Sequence, residues 1–385
     1  MKNICSCARH RIFFFLLLFL ALGVGSAAGQ NFLMRYLRST LNDTAPAYKP
    51  KFIVYPTLGF APETSWEFGF SSLYLYHARQ DTINRLSEVN GLTFITLRRQ
   101  FGVWFDHALY TDKNQWFFLG RLRYQRFPLL YHGVGPDTPA EPIAQVDSDY
   151  LLFRERALRQ LRPSLFVGLQ IDYQRLFRVD FLPTDDQVPL QEPEGSTGAS
   201  NLSLGGSVVY DTRHNVLNVR EGAFFELAVL HSSPLWGSTQ EFTTIFSDNR
   251  WYHKVNERDV LAAQLLGSFT LGNPPFQQLS LMGGESLMRG YYLGRYRDKN
   301  LVAGQIEYRM LPVPIRKLKR IGMSAFIASG TVFSENDPLA LNNFVLAGGG
   351  GIQFMVFPKK DIFTRFDVAF TREGPGFYLF VGEAF

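Results

Sequence analysis

The chain has 385 residues, 15% of them aromatic (36 Phe and 17 Tyr against 5 Trp), and a formal charge of +5 at neutral pH. Past residue 28 no apolar run reaches the ~18 residues that a membrane-crossing helix needs, so helical spans are excluded. Three of the positive charges, Lys2, Arg9 and Arg11, precede any acidic residue; the remainder carries +2 (five less three), which gives no basis for a nucleic-acid surface.

In chain order the first element is an export signal. Lys2, Arg9 and Arg11 make a basic start, Ile12 to Val24 an apolar stretch, and Ser26-Ala27-Ala28-Gly29 a small-residue cleavage site, so residues 1–28 are expected to be removed. Cys5 and Cys7 lie before the apolar stretch, leaving the mature chain without thiol chemistry. Residues 29–50 form a short lead, too few for a folded soluble domain, and residues 51–385 are expected to form one domain.

From Lys51 onward the pattern is period two. Trp116, Phe118, Leu122 and Tyr124 oppose Arg121, Arg123 and Gln125. In the clearest segment, Leu165, Val167, Leu169, Ile171, Tyr173, Phe177, Val179 and Phe181 share a face broken only by Arg175. Gln170, Asp172, Gln174, Arg178 and Asp180 lie opposite. Val302, Ile306, Tyr308 and Met310 oppose Gln305, Glu307 and Arg309; Ile362, Phe366, Val368 and Phe370 oppose Arg365 and Asp367. The chain ends on Phe377, Leu379, Val381 and Phe385 along one face. A soluble sandwich alternates too, but with shorter strands and polar faces toward solvent. Long strands with charged inner faces and an aromatic last residue predict an all-β fold, a transmembrane antiparallel barrel of about sixteen strands from near Lys51 to Phe385. Connections alternate accordingly. Short ones lie near 111–114, 161–163, 256–258, 312–319 and 358–361, and long ones at 127–145, 180–200, 271–300 and 334–342. Residues 78–90 are long where parity asks for a short turn. The compartment this implies is the outer membrane of a Gram-negative-type bacterium.

Catalytic and metal chemistry find no purchase. His77, His107, His132, His214, His231 and His253 are scattered without ligand spacing. His214 near Ser207 lacks an orienting third group. Asp180, Asp185, Asp186, Glu192 and Glu194 read as a solvated loop face. Gly348 to Gly351 lie in a strand pattern, where glycines mark a tight bend or close backbone contact rather than a phosphate loop. No cofactor or metal is expected, and no residue emerges as catalytic.

One loop is more specific. Met282-Gly283-Gly284-Glu285-Ser286-Leu287-Met288-Arg289-Gly290-Tyr291-Tyr292 resembles the Arg-Gly-aromatic motif in the sixth extracellular loop of the BamA/TamA superfamily (the bacterial surface antigen domain). Asp211-Thr-Arg213, followed by Gly222, resembles that family's Asp-x-Arg turn, and Gly382 to Phe385 its terminal assembly signal. The resemblance implies that the loop folds back into the lumen, with Arg289 reaching Glu307 on the next strand and the glycines permitting the fold. Phe326-Ile-Ala-Ser-Gly330 puts Ala328 where the family carries an aspartate, so a single carboxylate partner is expected for Arg289. Family insertases also carry periplasmic POTRA domains, for which residues 29–50 leave no room.

Three functions are compatible with these features. The resemblance implies insertion or translocation of proteins or lipids through a seam between first and last strands. The alternatives are a solute pore lined by Arg121, Arg123, Asp172 and Gln174, or a structural surface protein. Expected partners are outer-membrane lipid, the cell's barrel-assembly machinery during biogenesis and a protein or lipid substrate.

Overall fold

The computed structural model describes residue 46 and residues 48–385, apart from 62–64, 98–99, 127, 185–191, 214, 316–317 and 359–360. The expected export signal, most of the lead, Asp185, Asp186 and His214 lie outside the described residues.

Period-two alternation builds strands throughout: β1 (Lys51–Ala61), β2 (Ser65–His77), β3 (Leu86–Thr96), β4 (Phe101–Tyr110), β5 (Trp116–Arg126), β6 (Leu129–Tyr131), β7 (Ala144–Arg162), β8 (Leu165–Pro183), β9 (Ala199–Asp211), β10 (Gly222–Ser232), β11 (Phe242–Lys254), β12 (Asp259–Gly272), β13 (Ser280–Met282), β14 (Tyr296–Asp298), β15 (Asn300–Met310), β16 (Ile321–Phe333), β17 (Val345–Phe357), β18 (Ile362–Thr371) and β19 (Gly374–Val381). All but β13 and β14 join one 17-stranded antiparallel sheet. Because β5 and β6 both pair with β7, they act as one stave and the wall has sixteen. β13 and β14 form a separate hairpin within the loop between β12 and β15.

Neighbouring staves pair in sequence order from β1 with β2 through to β18 with β19. β19 comes back beside β1, yet among the described residues no ladder register joins those two. The sheet curls into a barrel whose seam lies between β1 and β19.

The lipid face is apolar as the pattern requires. Phe70, Leu169, Phe370, Phe377 and Leu379 are all well exposed outward, while Gln305, Glu307, Arg309, Arg365 and Asp367 are buried inward. The residue 78–85 connection, long by parity, is a tied turn: the Asn84 side-chain amide donates to the Ala78 carbonyl at 2.9 Å, and the His77 ring meets the Asn84 carbonyl at 2.8 Å.

Three faces depart from strict alternation. The β7–β8 ladder shifts register between Asp147 and Asp149, and Arg178 opposite takes a left-handed backbone (φ 53°). Beyond it the face inverts, and Phe181 packs on Tyr131 and Phe276 at 5.6 and 5.3 Å between ring centroids instead of facing lipid. A second shift between Met355 and Phe357 accompanies Ile362 in the interior, fully buried against Ile53, Leu73, Leu75 and Leu86.

The third departure is the terminus. Phe377 and Leu379 face outward, but the strand stops at Val381, whose side chain lies outside the described residues. Gly382 then adopts φ +90°, open to glycine without a Cβ penalty, and its N–H donates to the Phe363 carbonyl at 2.8 Å. Phe385 is therefore not on the lipid face. It is only 4% exposed and sits inside the short-turn end of the barrel with Val219, Tyr252, Val260 and Ala262.

Candidate functional site

The loop between β12 and β15 folds into the lumen. Its hairpin β13–β14 and the buried side chains Met282, Leu287, Met288, Tyr291 and Tyr296 pack on Leu301, Ala303, Ala328, Val332, Val345 and Ala347 of the wall. Two of its glycines are dictated by space. A Cβ on Gly283 (φ +119°) would stand 2.0 Å from the Tyr292 carbonyl oxygen, and one on Gly290 2.5 Å from Thr371 Cγ2. Gly284 closes the loop on itself, its N–H donating to the Tyr291 carbonyl at 3.0 Å. The Gly290 N–H donates to the Tyr378 hydroxyl on β19 at 2.8 Å, tying the loop to the last strand.

Arg289 sits fully buried at the centre. Its Nη2 is 2.6 Å from Glu307 Oε2, its Nη1 is 2.6 Å from Asp367 Oδ2, and its Cζ lies 3.5 Å from the Phe326 ring centroid. Arg365 pairs with Glu307 at 3.0 Å, Asp367 at 2.8 Å and Glu383 at 2.6 Å. Arg309 pairs with Glu307 at 2.7 Å and with Glu383 at 3.4 Å. Three guanidiniums thus meet three side-chain carboxylates, and Arg309 also donates to the Phe385 main-chain oxygen at 3.2 Å, an arrangement that offsets the cost of desolvating each charge. The expectation of a single carboxylate partner for Arg289 is corrected. Ala328 belongs to the apolar core under the loop, and Asp367 on β18 supplies the second acid. Gly349 and Gly351 leave the space into which Phe326 and Asp367 lean, since a Cβ there would stand 2.8 Å and 2.0 Å from them.

Sequence reading found Arg289 and Glu307 but not Arg309, Asp367, Arg365 or Glu383 as members of one site. Arg365 and Asp367 alternate inward on one strand, which was the available signal. Glu383 had none, because its position depends on the inward turn at Gly382.

Segments fold over the lumen at both ends. At the loop end, Arg295 bonds Glu373 (2.8 Å) and Thr138 (2.7 Å), and Gly135 donates to the Arg297 carbonyl at 2.9 Å, so residues 132–143 roof the inner loop. Burial and the nearby Arg295 push the His132 imidazole in this roof down to about 4.

At the short-turn end, which faces the periplasm in barrels of this kind, residues 215–221 between β9 and β10 reach across the mouth. These strands stand opposite the seam. Even so, Leu217 packs on the cluster of Ile53, Leu73, Leu75, Leu86 and Ile362 beside the seam, and Arg220 bonds Asp361 at 2.6 Å and the Leu311 carbonyl at 2.9 Å. Asp211 holds Arg213 at 3.0 Å and also pairs with Arg85 of the β2–β3 turn at 3.2 Å. Between the ends, Arg121, Arg123, Asp172 and Gln174 all face inward: Arg123 pairs with Asp106, and Gln174 donates to Asp172 at 2.8 Å.

Comparison with known proteins agrees with this geometry. The Omp85 superfamily domain matches residues 91–354, more than half of the chain. The chain belongs to the Omp85 superfamily. It is an outer-membrane barrel of the BamA/TamA type. Among solved structures, BamA from Haemophilus ducreyi lacking POTRA domains 1–3 superposes with a TM-score of 0.52 at 13% identity, covering 86% of this chain and 69% of that one. Two further barrels overlap only loosely. OccK5 (OpdH) from Pseudomonas aeruginosa gives a TM-score of 0.32 at 9% identity, covering 86% of this chain and 96% of that one. Wzi, a carbohydrate-binding outer-membrane protein of Escherichia coli involved in group 1 capsule assembly, gives 0.31 at 10% identity, covering 87% and 81%. No curated protein sequence is significantly similar to the chain.

Proposed function

We propose that residues 51–385 act as a single barrel domain, exported by a cleavable signal, that aids insertion or translocation of proteins or lipids through the seam between β1 and β19. The observation that carries this reading is a contrast. Every other junction in the wall is joined by a ladder, whereas no ladder register joins β1 to β19 among the described residues, and the inner loop is packed inside the lumen. Where such a seam parts, its two strand edges become a template for an incoming strand, which would pair by its main chain. The inner loop packed inside the lumen supports the seam over a central pore as the route. Outer-membrane lipid surrounds the site, and the cell's own assembly machinery is the expected partner during biogenesis.

The barrel residues contain no cysteine, so a disulfide introduced between β1 and β19 tests the proposal directly. Locking the seam should abolish the protein's contribution to folding of outer-membrane proteins in a depletion assay, and reduction should restore it. Full activity with the seam quantitatively locked sinks the reading. A steady conductance that survives locking but disappears on occluding the lumen would favour the solute pore.

A further inference from the structure

We propose that the outer wall between β17 and β18, at the loop end, holds a binding site for a phosphate-bearing lipid of the outer leaflet. The inference needs only the barrel in its bilayer and stands whichever way the seam works.

The wall splits there. The β16–β17 ladder climbs to Gly330 paired with Val345, whereas the β17–β18 ladder ends two residues lower, at Ala347 paired with Thr371. β18 then turns at Arg372 and Glu373 into β19, so the top of β17 stands above its neighbour. The result is a cleft of about 540 Å³. Ile327, Leu346 and Phe370, exposed by 58%, 63% and 62%, line it from the lipid side, joined by Phe344 and Gly348.

The cleft has a floor. Tyr291 comes through from the inner loop, and its hydroxyl donates to the Leu346 carbonyl at 3.1 Å. That bond satisfies a backbone acceptor left over where the ladder ends, and the ring seals the wall from inside.

The rim carries a cation with capacity to spare. Arg372 donates to the Tyr296 hydroxyl at 2.6 Å, while the adjacent Glu373 is engaged by Arg295 at 2.8 Å. Among the described residues Arg372 forms no ion pair. A guanidinium offers five N–H donors in a fork suited to phosphate oxygens. An apolar cleft beneath a guanidinium with donors left over, at the loop end of the wall, matches an acyl chain below an anionic head. A soluble anion would leave the cleft unused, and a neutral lipid would leave the arginine unused. The occupant would also rest on Tyr291, next to Arg289, so the lipid and the pinned loop share a side chain.

The test uses the full chain, purified in detergent, with native mass spectrometry of lipid adducts. Phosphatidylglycerol and the phosphate-free diacylglycerol with identical acyl chains are the probes. The wild type should retain the anionic lipid in preference. Arg372→Gln should cut that preference roughly tenfold, the worth of one charge-assisted hydrogen bond. Gly348→Phe, which fills the cleft from the lipid side where a Cβ has room, should remove binding of both lipids. Arg159→Gln, an exposed arginine elsewhere on the wall, should change nothing. Equal retention of the two lipids by the wild type, an unchanged preference in Arg372→Gln, or undiminished adducts in Gly348→Phe would each overturn the proposal. So would competition by millimolar inorganic phosphate, which would mark a soluble-anion site instead. Heat-modified gel mobility confirms folding of each variant, and the two substitutions fail independently.

Discussion

Replacing Arg289 by alanine tests whether the inner loop is pinned by charge. The side chain is fully buried, with two 2.6 Å contacts to Glu307 and Asp367 and a cation–π contact to Phe326. Without it, two guanidiniums face three carboxylates in a site closed to bulk solvent. Breaking a buried pair by removing one partner costs about 3–5 kcal/mol, because the remaining charge is left uncompensated. Glu307 and Asp367 both keep Arg365, and Glu307 also keeps Arg309, so the lower end, about 3 kcal/mol, applies here. Urea titration followed by tryptophan fluorescence reads this as a lowered midpoint at unchanged slope. The double variant Arg289→Ala/Asp367→Asn removes one charge of each sign and should recover part of the loss, which makes the pair non-additive. A midpoint equal to wild type, or strictly additive losses, would refute charge pinning and leave the loop held by its apolar core alone.

Three further outcomes follow from the ends of the barrel. Replacing residues 215–219 by a short glycine linker should raise single-channel conductance in planar bilayers, since this turn reaches across the mouth to the Ile53 cluster; unchanged current would place the block elsewhere. Phe385→Ala should cost about 3 kcal/mol, the usual loss for a buried phenyl ring, whereas a lipid-facing terminus would lose little. The His132 imidazole, held down to about 4 in the folded roof against an ordinary value near 6.5, is kept neutral by folding. Its contribution is complete above 6.5 and falls away as pH drops from 6.5 toward 4. Protease nicking of residues 132–143 should therefore rise across that window, and His132→Asn should abolish the dependence.

The alternating segments made the barrel, its strand number and its outward face legible, because period-two burial is a local property of sequence. The inner loop was legible through the Arg289-Gly290-Tyr291 resemblance and through Glu307 on the inward face of the next strand. Long-range placement was not. Asp367 stands 78 residues from Arg289 and meets it only because β18 curves round the same lumen. Phe385 looked like the end of a lipid-facing strand because nothing in its own alternation shows that Arg309 and Tyr252 wait inside; the Arg309 guanidinium lies 5.1 Å from its ring. Phe181 and Ile362 were misplaced for a related reason. A register shift flips every later side chain, and bulges leave weak traces in composition.

The central network also joins parts that must move if the seam opens. Glu383 belongs to the tail just beyond β19, Arg365 and Asp367 to β18, and Arg289 to the loop. Drawing β19 away from β1 would pull Glu383 out, and with it the Phe385 oxygen that accepts from Arg309 at 3.2 Å. Arg309 and Arg365 would then be left to compete with Arg289 for Glu307 and Asp367, loosening the hold on the loop, so the shared contacts favour loop and last strand moving together. Gly290 adds a direct bond from the same loop to Tyr378 on β19. Glu383→Gln imitates the withdrawn tail without removing the side chain. Hydrogen exchange should then speed up in β19 and in residues 283–294, while the long β7–β8 ladder on the far wall keeps its protection. Faster exchange in β19 with the loop unchanged would show that the two are held independently, and the electrostatic coupling would be refuted.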